Sequence, residues 1–415
     1  MTDLSRNLSE EIRVEVECYD KEQRKLLTDT NNYPQVVVDN VKALDKKNFY
    51  FNIADFLIYY IFYLKRDMPN RYKVRADLSH SIKRALVELD EYIEYSNYSL
   101  HVCNDVVDLP ISIKERIGEA IGMGVTASIN NVHEADWCTI PVLQVKALDF
   151  YLAYTAHGAI QVETKGSYVK NSAYKHGLYK HKSSIIAKKS QTRIKPLLKY
   201  PGDYLYGTIA SFDKDITRVL KCWLVDPEPV KVEYDLFKSR LLTRMQNILW
   251  MLKLVSPESR VISLLTERIN AISGSSDIMM LNNVRLGKNV GESMLSSDIV
   301  AEQFYYHKTY INNEDGDAGV WGEASGGRVY FLGVKRDLIK NIYEQNFEEL
   351  LNYSFTPRVE QVSLECSVET EADLIEWLSV IRKGKSSQIN NRFSANGELY
   401  TSQSGFIFGL LSTEQ

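Results

Sequence analysis

The order of elements after Ser112 constrains the fold more than any other feature of the chain. Ser112 and Glu115 fit a capping box ahead of an apolar stripe, Ile113, Ile117, Ile121 and Val125, so a helix is expected to begin there. Strand-like runs follow at Trp137 to Val145, Ala147 to Tyr154 and Ala159 to Glu163, and again at Tyr204 to Phe212 and Val219 to Val225. The turn Asp226-Pro227-Glu228-Pro229 closes the series. One helix followed by this many strands reads as an α/β (α+β) unit over about residues 111–230.

The flanks differ in pattern. Residues 1–110 are expected to form an N-terminal accessory region, mostly helical. It holds a strand-like run at Ile12 to Cys18, an apolar run at Gln35 to Val38, and helical patterns over Phe51 to Lys65 and about Leu78 to Tyr95. Pro110 is the expected boundary. Residues 231–415 are expected to form a C-terminal α+β accessory or interaction domain, again mainly helical. Its helices are expected at 234–256, 258–272, Arg336 to Tyr353 and around Trp377, with a Gly-rich loop at 312–327, a strand at Arg328 to Val334, one further strand and a polar tail. A chain of 415 residues exceeds one ordinary core, which agrees with several domains.

Composition excludes some classes of function. The five cysteines are scattered without a CxxC pair or a histidine at zinc-ligand spacing, so they read as reduced thiols of a cytosolic protein. The start MTDLSRNLSEEIRVEVE lacks the apolar centre of a signal peptide. The greasiest run, FNIADFLIYYIFYL, contains Asp55 and is too short to span a bilayer. A soluble cytoplasmic protein without a membrane role is expected.

The chemistry is expected around AIQVETKGS (159–167). If the runs before and after Thr155-Ala156-His157-Gly158 form a hairpin centred on Ala156, Asp149 stands opposite Glu163 on one face. Two facing carboxylates need a positive charge between them, and hard oxygens suit Mg2+, with Mn2+ as a substitute. Lys165 lies two residues after Glu163 and therefore on the same face.

Asp149, the apolar Ile160-Gln161-Val162 and the sequence Glu163-Thr164-Lys165-Gly166-Ser167 resemble the PD-(D/E)xK superfamily of nucleases, over about residues 111–230. Leu148 stands where the motif has proline. The resemblance implies a restriction-endonuclease-like mixed sheet flanked by helices. It also implies Mg2+-dependent hydrolysis of phosphodiester bonds in DNA, with Asp149 and Glu163 as metal ligands and Lys165 serving the attacking water. It further implies a metal-site glutamate on the preceding helix ERIGEAIG (115–122). Glu115 already has a capping role. Glu119 lies on a second face with Gly118, Gly122 and Thr126, whose small side chains would let the helix approach the hairpin, and is preferred, with Glu115 left as the alternative.

Net charge is only -4, so attraction to nucleic acid must come from segregated charge. Between Glu163 and Asp203 no acidic residue occurs, while Lys170, Lys175, Lys180, Lys182, Lys188, Lys189 and Arg193 interleave with tyrosines, a pattern suited to phosphate contact and stacking. The expected partner is double-stranded DNA. By resemblance the setting is a bacterial restriction or anti-phage defence system, with a homo-oligomer or a partner protein. The competing reading is a non-catalytic nucleic-acid-binding or assembly subunit that keeps the fold. The loop Asn313 to Glu323 fails EF-hand spacing, and His133, Glu134 and Asp136 lack the second histidine of a zinc site.

Overall fold

The computed structural model describes residues 7–62, 75–139, 151–194, 202–225, 233–255, 260–275, 318–324, 328–344, 346–367 and 392–413. The chain divides into two compact units, one of residues 1–68 and 87–243 and the other of residues 69–86 and 244–415.

In chain order the first unit contains β1 (Glu11–Cys18), α1 (Lys21–Leu27), α2 (Gln35–Leu44), β2 (Lys47–Asn52) and α3 (Ile53–Phe62). The helix α4 (Arg75–Tyr92) leads to the hairpin β3 (Ile93–Ser96) and β4 (Ser99–Val102). There follow α5 (Ile111–Asn130), β5 (Trp137–Thr139), β6 (Tyr151–Tyr154), β7 (Ala159–Tyr168), α6 (Tyr179–Ile194), β8 (Tyr204–Phe212) and β9 (Leu220–Val225). Seven strands form one mixed sheet in the order β2-β1-β9-β8-β7-β6-β5. The meander β5-β6-β7 is antiparallel, and α6 then carries the chain across to β8, which runs parallel to β7.

The accessory region expected before Pro110 is not a separate helical body. Glu11 to Cys18 alternates charged and apolar residues, so Ile12, Val14 and Val16 are buried while the charged positions face outward. That strand pairs in parallel with β9, which places it in the same sheet as β5 to β9. The run Gln35 to Val38 is the start of a helix, because Val37, Val38 and Val41 bury one helical face. The α5 helix begins at Ile111 with Pro110 at the N-cap and no side-chain cap bond, so the capping box expected at Ser112 and Glu115 does not form.

Helices cover both faces of the sheet. Strands alternate the direction of their side chains, so Thr164, Gly166 and Thr208 share one face and Glu163, Lys165 and Ile209 the other. The first face receives α5 at very short range. A Cβ on Gly118 would lie 2.2 Å from the Gly166 nitrogen, and one on Gly122 would lie 2.2 Å from Thr208 Oγ1 and 2.8 Å from Thr164 Cγ2. The second face receives α6, whose Ile185 joins Tyr19, Leu178, Ile209, Trp223 and Val225 in an apolar cluster.

The second unit contains most of α7 (Leu236–Val255), then α8 (Arg260–Gly274), β10 (Ala318–Glu323), β11 (Arg328–Val334), α9 (Arg336–Glu344), α10 (Phe347–Asn352), β12 (Arg358–Ser367), β13 (Arg392–Thr401) and β14 (Phe406–Thr413). Its strands form an antiparallel sheet in the order β10-β11-β14-β13-β12, with Val329, Phe331, Ala395, Leu399, Ile407 and Leu411 in one buried cluster. The C-terminal region combines helices with strands, but its described residues hold five strands where two were expected. The supposed loop 312–327 contains β10, the helix expected over Arg336 to Tyr353 is two helices, and the polar tail is two strands. The helix expected around Trp377 lies outside the described residues. No helix among the described residues is long and apolar enough to cross a membrane.

Candidate active site on the central strand

The site is built on β7, whose residues from Ala159 to Thr164 are buried between the two covering layers. Within Glu163-Thr164-Lys165-Gly166 the pleat divides the labour. Thr164 and Gly166 meet α5, while Glu163 and Lys165 project toward α6. Gly166 is required where it stands, since a Cβ there would fall 1.6 Å from the Lys114 carbonyl oxygen. The small residues Gly118 and Gly122 do let α5 approach this strand, as their spacing suggested.

Glu163 is fully buried, with 0% of its side chain exposed. Its Oε1 is 2.5 Å from Lys165 Nζ on the same strand and 2.5 Å from Lys188 Nζ on α6. The two lysine side chains are 19% and 27% exposed, so they connect a buried carboxylate with solvent. His181 lies one turn before Ile185 on α6, and its pKa is held below the ordinary histidine value, first by burial and second by the nearby Lys165. His181, Ile185 and Lys188 follow helical spacing and share one face of α6. Reading this segment for charge alone missed that periodicity, which was the available signal for Lys188 as a member of the site.

Other expected residues are distributed differently. Asp149 lies outside the described residues. The hairpin register is one residue from the expected one, with Tyr151 opposite Val162 and Tyr154 opposite Ala159, so its centre falls between Ala156 and His157. Thr155 sets this turn: its N–H donates to the Gly158 carbonyl, and its Oγ1 accepts from the His157 and Gly158 N–H groups. The pairing centred on Ala156, which put Asp149 opposite Glu163, is therefore not the one adopted by the described part of the hairpin. Glu119 is buried, and α5 carries it over the face opposite to the one that α6 covers. Among the described residues, no group of three or more His, Cys, Asp or Glu side chains is arranged to hold a metal ion.

The lysines of the acid-free segment do not form one uniform exposed face. Lys170 and Lys180 are exposed, as are Tyr174 and Tyr179. Lys182 pairs with Asp20 at 2.6 Å and lies over the Tyr19 ring, and Lys175 lies over both Tyr19 and Trp223. Lys188 is committed to Glu163 and Lys189 is buried. Arg193 lies in the last turn of α6.

Competing chemistry has little support. Burial pushes the thiols of Cys18, Cys138 and Cys222 up to about 12, which keeps them protonated and unreactive near neutral pH. His133 and Asp136 close a capping box around the turn Glu134–Asp136, and Arg240 Nε meets Asp136 Oδ1 at 3.3 Å, so this cluster is occupied in ordering the chain before β5.

The two depressed histidines give a pH expectation. His101 is buried and, like His181, is held below its ordinary value chiefly by burial. A histidine whose pKa is lower in the folded than in the unfolded state is protonated first in the unfolded chain, so stability falls as pH drops through about 6.5 toward the folded value. The urea midpoint should fall between about pH 7 and pH 5.5, and a His101→Gln, His181→Gln double variant should flatten that slope. An equally steep slope in the variant would remove these histidines as the cause.

No family model, no curated protein and no solved structure matches the chain.

Proposed function

We propose that the chain is a magnesium-dependent nuclease of the PD-(D/E)xK type that hydrolyses phosphodiester bonds in DNA. The observation that carries this reading is the placement of Glu163 and Lys165 side by side on a central strand of a mixed sheet, facing a helix that has no acidic residue. Helices on both faces of that sheet agree with the architecture the resemblance implies.

Glu163 would offer a divalent cation one hard, fully buried carboxylate, against the opposing charge of the Lys165 and Lys188 ammonium groups 2.5 Å from its Oε1. When bound, Mg2+ polarises phosphoryl oxygens and lowers the pKa of water. The resemblance also implies Asp149 and Glu119 as ligands, of which Glu119 is carried by α5 on the face of the sheet away from Glu163. Lys165, two residues along the same face, serves to orient water and to offset charge that develops on the phosphate. The exposed Lys170, Lys180, Tyr174 and Tyr179 supply phosphate contacts and stacking surfaces beside the site. A bacterial restriction or anti-phage defence role, in a homo-oligomer or with a partner protein, completes the proposal on resemblance.

Plasmid cleavage with Mg2+ tests the assignment directly. Wild type should cut, Lys165→Ala and Asp149→Ala should cut about 10²-fold more slowly or not at all, and Glu119→Ala reports whether the α5 acid takes part. Variants that cut as fast as wild type would dispose of the catalytic assignment. A non-catalytic DNA-binding subunit is the second reading, favoured by the way two ammonium groups already neutralise Glu163; binding without cleavage under any divalent metal would select it.

Both readings require salt-sensitive binding. Lys170→Ala and Lys180→Ala should each reduce the slope of log affinity against log salt by about one. Slopes unchanged by both substitutions would move the DNA path away from Lys170 and Lys180.

A further inference from the structure

We infer that the loop ahead of α6 stacks on unpaired bases through Tyr174 and Tyr179, so that the substrate is DNA with a single-stranded segment and not an intact duplex. The inference rests on the nuclease reading and names the form of DNA that the same site takes.

Tyr179, 73% exposed, and Tyr174, 64% exposed, are the two most exposed Tyr, Phe or Trp side chains among the described residues. Both fall inside the acid-free stretch 164–202, interleaved with Lys170, Lys175, Lys180 and Lys182. The backbone that carries them is tied down. The Val169 N–H donates to the Phe212 carbonyl at 3.1 Å, the Ser172 N–H donates to Asp213 Oδ2 at 2.7 Å, and Arg218 Nη1 donates to the Lys170 carbonyl at 3.1 Å. Leu178 closes the loop from the other end, buried in the cluster of Ile185 and Trp223. Between the two tyrosines, the Lys175 ammonium lies 5.2 Å from the Tyr19 and Trp223 ring centroids. Two rings are thus held out into water from an ordered loop, so little further ordering is needed when a flat ligand arrives. Every base has a π face, but an intact duplex covers those faces with its own neighbours and shows a protein only backbone and groove edges. Lysines serve either form, whereas an exposed ring gains a stacking partner only from a base that is unpaired. The loop leads straight into α6, which begins at Tyr179 and reaches Glu163 through Lys188, so a strand stacked there lies along the helix that covers the site.

The experiment is fluorescence anisotropy of the full chain in EDTA, where nothing is cut. The probe is a labelled oligothymidine strand of about 20 nucleotides, long enough for a stacking site, and the unlabelled competitor is relaxed closed-circular duplex, which has no ends. Wild type should hold the strand about 10-fold more tightly per nucleotide than the duplex. Tyr174→Ala and Tyr179→Ala should each weaken strand binding about 5- to 100-fold, the range for losing one base–aromatic stack, and change duplex binding by less than about twofold. Tyr174→Phe and Tyr179→Phe, which keep the ring, should stay within about threefold of wild type on the strand. Lys170→Ala should weaken both forms by similar factors, because phosphates are common to them.

Equal affinity of wild type for the two forms overturns the inference, as does binding to neither. It also falls if the alanine variants lose strand and duplex binding alike, or lose neither, the last being the result for rings that dock a protein instead. The nuclease reading is judged separately with Mg2+, by whether wild type cuts supercoiled plasmid, whose strands part readily, and Glu163→Gln does not. Strand-selective binding that depends on the tyrosines in a protein that cuts nothing removes the nuclease and keeps the stacking loop. Cleavage together with tyrosine variants that bind the strand as wild type does removes only the stacking loop.

Discussion

Glu163→Gln should abolish DNA cleavage while leaving the first unit folded. Glutamine keeps the shape of the side chain but removes its charge, so the proposed metal ligand and the partner of Lys165 are lost together. A fall of about 10² to 10⁴ in cleavage rate is the expected scale for removing one catalytic group of this kind. Breaking a fully buried ion pair costs about 3–5 kcal/mol. Here the cost should be smaller, because both lysines are partly exposed and can turn their ammonium groups to water. Melting within a few degrees of wild type, together with lost cleavage, is the outcome that fits a catalytic carboxylate. A large drop in melting temperature with cleavage retained in the surviving folded fraction would mark Glu163 as a structural residue.

The largest expected effect on stability belongs to Gly166. Alanine there would place its methyl carbon 1.6 Å from the Lys114 carbonyl oxygen, and relief requires α5 to move off the sheet because both partners are backbone. Overpacking of this severity should exceed about 3 kcal/mol, a loss of roughly 10 °C in melting temperature for a unit of this size. Gly118→Ala meets the same interface from the other side, 2.2 Å from the Gly166 nitrogen, and should behave alike. Gly274→Ala is the control, since nothing lies within 4 Å of its Cβ position. Comparable melting of all three variants would show that α5 can shift cheaply. Because Gly166 adjoins Lys165, any Gly166→Ala protein that does fold should also cut more slowly, as displacements near 1 Å cost about 10²-fold.

Much of the first unit could be read from local pattern. Alternation in Ile12 to Cys18 and the apolar runs at 204–212 and 219–225 gave strands where strands exist, and the small residues Gly118 and Gly122 gave the close approach of α5. Long-range pairing was not legible. Nothing local in EIRVEVEC says that it adds to a sheet beside residues 220–224. The hairpin register turned on a single residue, decided by the hydroxyl of Thr155 inside the turn.

Charge also hid structure. The segment after Lys170 looked like a basic stretch, yet Leu178, His181, Ile185 and Lys188 recur at helical spacing and bring a lysine into the site. At the C-terminus, Asn396-Gly397 has the composition of a turn but lies within β13, paired with Ser412 and Leu411 on β14. There a glycine fits because the neighbouring strand leaves little room, with the Leu410 carbonyl oxygen 2.9 Å from its Cβ position.

The parallel pairing of β1 with β9 also orders events during synthesis. Strand β1 is synthesised before β2, with which it pairs on one edge. Its other edge is completed only by residues 220–224, roughly 200 positions later. At bacterial or eukaryotic elongation rates of about 5–20 residues per second, that edge waits on the order of 10–40 s. Glu11, Arg13, Glu15 and Glu17 place a charge on every second residue of the waiting strand, which opposes pairing with another nascent chain. When β9 arrives, Lys221 Nζ binds Glu15 at 3.0 Å and Glu17 at 2.6 Å, so the charges that protect the unfinished sheet become the contacts that register its last strand.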